Sequence, residues 1–291
     1  MNEIQKLIEL ALKEDIGAGD ITSDALIHKN LLGKAEIVAK TKGVLAGIKI
    51  AEKVFKKKDP NLFFIPLKKD GENFKPNDKI AIIEGRVKSI LKCERTALNF
   101  LQKLSGIATL TQSFVSKTKG EKIKILDTRK TTPGFRILEK YAVKAGGGEN
   151  HRMGLYDMIL IKENHIKAAG DISSAIQKAK KALGNKDFVK KFSKKKKIKI
   201  EVETKNLNEV KDALGFKIDM IMLDNMPIQM IKKASQIIRS SKKNIKIEVS
   251  GNIDLKNLRD YSNLDIDYIS IGAITHSSKA IDLSLNLIEI R

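Results

Sequence analysis

The chain has 291 residues, of which 42% are hydrophobic and 5% aromatic, with a single cysteine and a net charge of +21. This length suits a large α/β domain together with a smaller one, and the lone Cys93 excludes an internal disulfide. The charge suits a polyanionic partner. However, we find no helix-turn-helix, zinc-finger or RNA-stacking pattern with interleaved aromatic residues, so we predict no specific nucleic-acid binding.

Membrane association is not expected either. No apolar run approaches the roughly 20 residues that span a bilayer, and the amino terminus lacks the charged start and apolar run of a signal peptide. We therefore expect no membrane partner and a cytoplasmic location.

Residues 1–105 are predicted to form a mixed, partly antiparallel α/β domain. The pattern of apolar residues and turn signals predicts helices at 3–13 and 89–104, and strands at 34–40, 62–67 and 79–84. Gly106 is expected to end the long helix and to separate it from another one.

Beyond residue 122 the chain repeats a strand, a polar strand end and a helix six times. The predicted strands are 123–126, 158–161, 198–202, 220–223, 245–249 and 268–271, and the predicted helices are 135–145, 173–183, 206–214, 227–238, 254–261 and 279–288. No Gly-x-Gly-x-x-Gly follows the first strand, so an open (β/α) barrel over residues 106–275 fits better than a dinucleotide-binding sheet. Residues 276–291 are expected to form a carboxy-terminal helix that packs on the amino-terminal domain.

The residues just past each strand are the candidates for function, because ligands bind at the carboxyl ends of barrel strands. Cations, acids and small residues share these positions: Arg129, Lys130, Lys162, Glu203, Asp224, Ser250, Gly251 and Gly272. Arginine and lysine suit a multiply charged anion, while carboxylates can hold Mg²⁺ or stabilise a positive centre. The small residues at the last two strands fit a phosphate.

Structural roles compete with several of these assignments. Asp224 can cap the helix that follows it, Gly272 can serve a tight turn, and His151 can be a packed or capping histidine.

The alternation along two strands predicts charged side chains inside the barrel. Glu201, Glu203 and Glu248 point to the interior, where branched apolar side chains are usual. Because buried charges must be paired, we expect Glu201 and Lys199 to neutralise neighbouring charges and Glu203 to serve the site.

Several longer motifs resemble those of one enzyme family. They are Asp127-Thr-Arg-Lys-Thr-Thr-Pro-Gly134, Gly146-Gly-Gly-Glu-Asn-His-Arg152, Leu160-Ile-Lys-Glu-Asn-His165, Glu201-Val-Glu203, Met222-Leu-Asp-Asn225 and Glu248-Val-Ser-Gly251, with Glu14-Asp-Ile-Gly-Ala-Gly-Asp-Ile-Thr22 and Glu94-Arg-Thr-Ala-Leu-Asn99 earlier in the chain. Together they resemble quinolinate phosphoribosyltransferase over almost the whole chain. The resemblance implies that quinolinate and phosphoribosyl pyrophosphate react with Mg²⁺ to give nicotinate mononucleotide, pyrophosphate and CO₂, on the pathway to NAD. It also implies an amino-terminal α/β sandwich, an open α/β barrel and at least a homodimer.

By the same resemblance, each candidate residue has a role. Arg129, His151, Arg152 and Lys162 would line the quinolinate site, and Arg95 would reach the site of a partner subunit. Lys130 and Lys162 would approach phosphoribosyl pyrophosphate, Glu203 and Asp224 the ribose and the metal, and Ser250, Gly251 and Gly272 the phosphate. The implied catalytic residues are Lys130, Lys162, Glu203 and Asp224.

The chain departs from the family in a lysine-rich stretch, residues 186–197, which looks longer than usual. We expect it to form a solvated loop at the barrel end opposite the substrates. Replacing Lys194, Lys195, Lys196 and Lys197 with serine should then leave kcat/KM within about threefold, because charges beyond a Debye length are largely screened.

Three other functions fit parts of the sequence. A related protein of molybdate utilisation shares the fold, although Arg95, Arg129, His151 and Arg152 together favour quinolinate. A Schiff-base aldolase could use Lys162, since this lysine follows a strand end. Nucleic-acid binding is the non-enzymatic alternative and would show as salt-dependent shifts of unrelated duplexes.

Overall fold

The computed structural model describes residues 3–118, 120–192 and 197–291. The chain forms two compact units, which differ from the domains predicted with boundaries at residues 105 and 275. The first contains Met1–Gln112, Thr131–Gly147 and Ile274–Arg291, and the second contains Ser113–Lys130 and Gly148–Ala273.

The helices and strands follow one another along both units. In chain order the helices are α1 (Glu3–Ile16), α2 (Ile21–Leu26), α3 (Ile48–Lys58), α4 (Val87–Lys117), α5 (Arg136–Ala145), α6 (Glu163–Ala169), α7 (Ile172–Gly184), α8 (Lys186–Phe192), α9 (Leu207–Leu214), α10 (Ile228–Ser240) and α11 (Ala273–His276). The strands are β1 (Leu32–Ala39), β2 (Gly43–Val44), β3 (Phe63–Pro66), β4 (Asn73–Phe74), β5 (Lys79–Arg86), β6 (Lys124–Leu126), β7 (Ile159–Ile161), β8 (Ile200–Thr204), β9 (Met220–Asp224), β10 (Lys246–Ser250), β11 (Tyr268–Ser270) and β12 (Leu283–Ile290). The sequence patterns do not predict α2 and α6, because helices of six and seven residues are too short to show a period.

An antiparallel sheet organises the first unit; its described strands lie in the order β12, β1, β5 and β3. On β1, Ala35, Ile37 and Ala39 are fully buried, as expected for a strand whose alternate residues face a core. Val54 and Phe55 of α3 are fully buried as well. This antiparallel sheet with its helix is the amino-terminal part of the predicted α/β fold class.

The end of the chain forms a strand, so the helix predicted within residues 276–291 is wrong. β12 pairs antiparallel with β1. Leu283 and Leu285 are buried while the residues next to them are more exposed, which is the alternation of a strand. The prediction failed because Ile281, Leu285 and Ile288 also fit the spacing of a helix. Pairing with the distant strand β1 favours the strand over the helix.

Helix α4 runs without interruption through Gly106, so the division predicted there is wrong. The glycine serves another purpose. A Cβ atom at this position would lie 2.0 Å from the backbone oxygen of Lys279. Gly106 therefore allows the segment that leads to β12 to pass directly against the helix.

Replacing Gly106 with alanine should destabilise the protein by about 1–3 kcal/mol, the usual effect of inserting a group into filled space. Urea titration would measure the free energy of unfolding. Gly184→Ala is the matched control, because Gly184 ends α7 and a Cβ there has no described atom within 4 Å. Equal stability of the two variants would contradict the packing role of Gly106.

In the described part of the chain, six parallel strands form the sheet of the second unit, in the order β6, β11, β10, β9, β8 and β7. Val202, Ile221 and Ile247 are fully buried on one face of this sheet. Because side chains alternate along a strand, Glu201 and Glu248 point to the opposite face. The arrangement is the predicted open α/β barrel, and the fold class is confirmed.

Two predicted elements of this unit differ from the structure. Of the helix predicted at 254–261, only a 3₁₀ turn forms, at Leu258–Tyr261. The carboxylate of Asp254 accepts the amides of Lys256 and Asn257, and such a local turn competes with helix formation.

The lysine-rich segment, predicted to be a loop, begins with the helix α8. Its residues 193–196, which include Lys194, Lys195 and Lys196, lie outside the described residues. Across the described parts of the chain, every helix is too short or too polar to cross a membrane.

Candidate active site

The carboxyl ends of the parallel strands in the second unit meet at one edge of the sheet. Most residues selected from the sequence lie at that edge, at a strand end or within four residues after it: Arg129, Lys130, Lys162, Glu203, Asp224, Ser250, Gly251 and Gly272. The strand register places Asp224 beside Ser250 and Glu203 beside Met222. The predicted grouping at the strand ends is therefore present in the structure.

The segment that carries His151 and Arg152 is attached to the end of β6. Glu149 forms a parallel bridge with Leu126. The fully buried Asp127 then accepts the amide of His151 at 2.8 Å. These bonds fix the backbone of the segment beside the strand end.

Arg129 and Arg152 influence each other electrostatically. Arg152 is buried, and its Nη1 donates to the backbone oxygen of Met158 at 3.0 Å. Burial, and then the charge of Arg129, lower the pKa of Arg152. Two guanidinium groups that repel each other in a shielded place suit an anion with two negative charges.

His151 belongs to a buried cluster with two carboxylates. Its Nε2 lies 3.1 Å from Oε2 of Glu201 and 3.3 Å from Oε2 of Glu248. Both carboxylates are fully buried. Burial, and then the charge of Glu248, raise the pKa of Glu201. The side chain next to Glu201 is therefore the ring of His151. Lys199, which was also predicted to neutralise a charge inside the barrel, is exposed.

Lys162 and Glu203 form an ion pair, with Nζ 2.5 Å from Oε2. The lysine side chain is 45% exposed and that of the glutamate 9%. At the start of α6, the amide of Lys162 donates to Nδ1 of His165 at 3.0 Å, which gives this histidine a capping role. An ammonium paired with a carboxylate is not the neutral amine that attacks a carbonyl, so the contact does not favour a Schiff-base lysine.

Asp224 is half-buried at the end of β9, and its Oδ2 accepts Nδ2 of Asn225 at 2.8 Å. It does not cap α10, because the capping position is occupied by Pro227. The structural alternative for Asp224 is therefore excluded, and its partly exposed carboxylate can meet a ligand at the edge of the sheet.

Gly251 holds a position that only glycine fits. Its φ is +109°, and a Cβ would lie 2.2 Å from Oδ1 of Asn225. Asn252 donates to the same oxygen at 3.3 Å. The loops after β9 and β10 are therefore packed together. This contact was not predicted from the sequence, although an asparagine near each strand end is a signal of a tight turn.

Lys130 and Arg95 are exposed. The amide of Lys130 donates to Oγ1 of Thr128 at 3.0 Å, which shapes the loop after β6. Arg95 belongs to the first unit, on α4, where Asn99 is exposed one turn further on. From such positions a side chain can reach a ligand or another subunit.

Two family models cover nearly the whole chain. The amino-terminal domain of quinolinate phosphoribosyl transferase matches residues 20–105, and its carboxy-terminal domain matches residues 107–286. The chain belongs to the quinolinate phosphoribosyl transferase family. The two family domains meet next to Gly106, inside the continuous helix α4.

Relatives in this family resemble the chain over its full length. The probable nicotinate-nucleotide pyrophosphorylase (carboxylating) of Bacillus subtilis is 42% identical over 289 residues, which are 99% of this chain and 95% of the relative. The crystal structure of NadC from Streptococcus pyogenes is 38% identical with a TM-score of 0.90 and covers 99% of this chain and 98% of its own. That of the nicotinate-nucleotide pyrophosphorylase from Francisella tularensis is 41% identical with a TM-score of 0.89, covering 98% and 96%. The resemblance inferred from the motifs is confirmed.

The motifs did not predict some of the contacts that hold the candidate site together. Asp127 anchors the amide of His151, and Glu248 joins Glu201 at its ring. Asn225 contacts the loop that contains Gly251. The available signal was the polar character of inward positions on the strands, but the sequence alone does not show which residue meets which.

Proposed function

We infer that the chain transfers the phosphoribosyl group of phosphoribosyl pyrophosphate to quinolinate with loss of CO₂, and so makes nicotinate mononucleotide and pyrophosphate in NAD biosynthesis. The observation that supports this function best is a group of cations and carboxylates at the carboxyl ends of one parallel sheet. The cations at the strand ends are Arg129, Lys130 and Lys162, and the carboxylates are Glu203 and Asp224. Arg152 joins them through the segment that is bonded to the end of β6. Relatives named for this activity match the chain from end to end.

We assign the two carboxylates of quinolinate to Arg129 and Arg152. Quinolinate carries adjacent carboxylates and therefore needs two cationic groups at a short separation. The charge of Arg129 lowers the pKa of Arg152, and a bound dianion would relieve that repulsion. The planar guanidinium group can bind a carboxylate through two parallel hydrogen bonds.

Phosphoribosyl pyrophosphate is assigned to the lysines and to the small residues at the last strands. Lys130 is exposed and Lys162 is partly exposed, so both can meet the pyrophosphate. Ser250, Gly251 and Gly272 follow β10 and β11, where barrels commonly bind a phosphate through small residues and backbone amides.

Glu203 and Asp224 are proposed to act on the ribose. Departure of pyrophosphate leaves positive character on the ribose carbon, and nearby carboxylates can stabilise it. Their oxygens also suit Mg²⁺, which commonly uses one or two carboxylates together with substrate phosphates, and the two residues end adjacent strands. Bound Mg²⁺ would neutralise charge on the leaving pyrophosphate. We propose both residues as its protein ligands.

The later steps make small demands on the protein. The ring nitrogen of quinolinate attacks the ribose carbon, and the ring becomes positively charged. This charge assists loss of the carboxylate next to the nitrogen as CO₂, because it stabilises the electron pair left on the ring carbon, which then takes up a proton from solvent. The arginines therefore need mainly to position the substrate.

Release of labelled CO₂ from quinolinate, labelled at the carboxylate next to the ring nitrogen, tests the function. We expect release only when phosphoribosyl pyrophosphate and Mg²⁺ are both present. Lys162→Ala should lose most of this activity. Lys167→Ala, at a lysine of α6 whose side chain is 70% exposed, is the control and should retain it. Release that does not depend on phosphoribosyl pyrophosphate, or no release at all, would refute the assignment.

We further propose that the enzyme is a cytoplasmic homodimer, or a higher oligomer built from such dimers, with active sites shared between subunits. Arg95 supports this arrangement because it is exposed on the first unit, whereas the other candidate residues belong to the second. Its motif resembles the one whose arginine, in this family, enters the partner's site.

A further inference from the structure

Lys205 is a further cation at the edge of the sheet where the candidate residues lie, and it was not selected from the sequence. It directly follows β8, and its side chain is 45% exposed. In the sheet, β8 lies between β7, which Lys162 follows, and β9, which ends in Asp224. Lys205 therefore belongs to the same row of strand ends as these two residues.

The main chain at Lys205 is held by the helix that follows it. The amide of Lys205 donates to Oε2 of Glu209 at 2.8 Å. The next residue, Asn206, caps α9 by accepting the amides of Asn208 and Glu209, each at 3.0 Å. Because the backbone is fixed beside the strand end, the rotamer of the lysine side chain alone decides where its ammonium lies.

The ammonium of Lys205 forms an ion pair with Oε2 of Glu163. The other oxygen of Glu163 pairs with Nζ of Lys167 at 2.9 Å. Both pairs are exposed, and exposed ion pairs contribute little to stability. Glu163 therefore keeps one cation when Lys205 turns to another anion, so the present contact is easily exchanged.

Two further carboxylates act on this ammonium. The hydrogen bond with Glu163 raises the pKa of Lys205, and the charges of Glu203 and Asp224 raise it as well. Glu203 is at the same time bound by Lys162, and its Oε1 lies 3.5 Å from the amide of Glu163. Lys205 is thus within electrostatic reach of the two carboxylates that are proposed to act on the ribose.

We propose that Lys205 binds the pyrophosphate group of phosphoribosyl pyrophosphate and exchanges Glu163 for phosphate oxygens when this substrate enters. The inference rests on the proposed function and adds a substrate-binding residue to it. In that function pyrophosphate leaves the ribose carbon beside Glu203 and Asp224. A lysine ammonium binds phosphate as a point charge with three donors. From the end of β8 it would stabilise the negative charge that develops on the leaving group.

Initial-rate kinetics, with CO₂ release as the readout, test this role. Lys205→Gln should raise KM for phosphoribosyl pyrophosphate and the inhibition constant of pyrophosphate about tenfold or more, while KM for quinolinate changes less than about twofold. Lys205→Arg keeps a cation and should bring both raised constants to within about threefold of the wild type. Lys167→Gln removes the other partner of Glu163, and as the matched control it should keep wild-type constants. An equal rise of both KM values in Lys205→Gln, or no change in either, would overturn the proposal.

Glu163→Gln distinguishes a pyrophosphate ligand from a merely structural ion pair. If Lys205 served only to hold the start of α6 through Glu163, Glu163→Gln and Lys205→Gln would raise KM for phosphoribosyl pyrophosphate equally. That result would reject the role of Lys205. If Lys205 binds pyrophosphate, Glu163→Gln releases it for the substrate, and KM for phosphoribosyl pyrophosphate should not exceed the wild-type value.

Calorimetric titration with pyrophosphate and Mg²⁺ separates this inference from the proposed function, because it measures binding without the reaction. Lys205→Gln should bind about tenfold more weakly than the wild type, the factor expected for its inhibition constant. If the wild-type enzyme releases no CO₂, or releases it without phosphoribosyl pyrophosphate, the proposed function fails and the inference fails with it. If the wild type is active as proposed and Lys205→Gln binds pyrophosphate as tightly as the wild type, only the role of Lys205 is wrong.

Discussion

Replacing Arg129 or Arg152 with lysine should lower kcat/KM for quinolinate by about 30- to 800-fold, although the positive charge is retained. Lysine is a point charge and cannot form the two parallel hydrogen bonds of a guanidinium with a carboxylate. The loss corresponds to about 2–4 kcal/mol of transition-state stabilisation, the scale of a buried hydrogen bond between charged groups. Arg152 should show the larger effect of the two, because it is buried and its Nη1 is already fixed by Met158.

The measurement is initial-rate kinetics with quinolinate as the varied substrate. Arg259→Lys is the matched control, because Arg259 belongs to the same unit and is exposed on the 3₁₀ turn after β10. It should retain wild-type kinetics. Near-normal activity of both Arg129→Lys and Arg152→Lys would contradict the assignment of the dicarboxylate to these residues.

The barrel could be predicted from the sequence because its strands are short apolar runs that end in polar residues. Each of the strands β6 to β11 lies within two residues of its predicted ends. A buried parallel strand shows such a run in its own sequence, so it can be recognised before its neighbouring strands are known. The same rule placed Lys162 and Asp224 at one edge, since all parallel strands end on the same side.

What the sequence could not give depends on contacts between distant segments. Residues 283–290 form the strand β12 because they pair with β1. Gly106 is required because the backbone of Lys279 passes close to α4. Likewise, nothing local to His151 shows that Glu201 and Glu248 surround its ring. Period and spacing describe one element at a time, whereas these features arise from the packing of two or three.

A mixture of two inactive variants should recover activity if the active site is shared between subunits. In a dimer of one Arg95→Ala subunit and one Lys162→Ala subunit, the barrel of the first keeps Lys162 and receives Arg95 from the second. One of the two sites is then intact. With random exchange in an equal mixture, half of the dimers are mixed, so about a quarter of wild-type activity is expected.

The experiment distinguishes a shared site from a site within one subunit, because the two arrangements give opposite outcomes. If Arg95 acted in its own subunit, every site in the mixed dimer would carry one lesion, and no activity would return. The double variant Arg95→Ala, Lys162→Ala mixed with Lys162→Ala is the control, since no pairing of these two chains restores a site. Mass spectrometry of the mixture must show subunit exchange, and exchange without recovery of CO₂ release would reject the shared site. Because Arg95 lies on the first unit and Lys162 on the second, recovery would also show which two surfaces meet across the dimer.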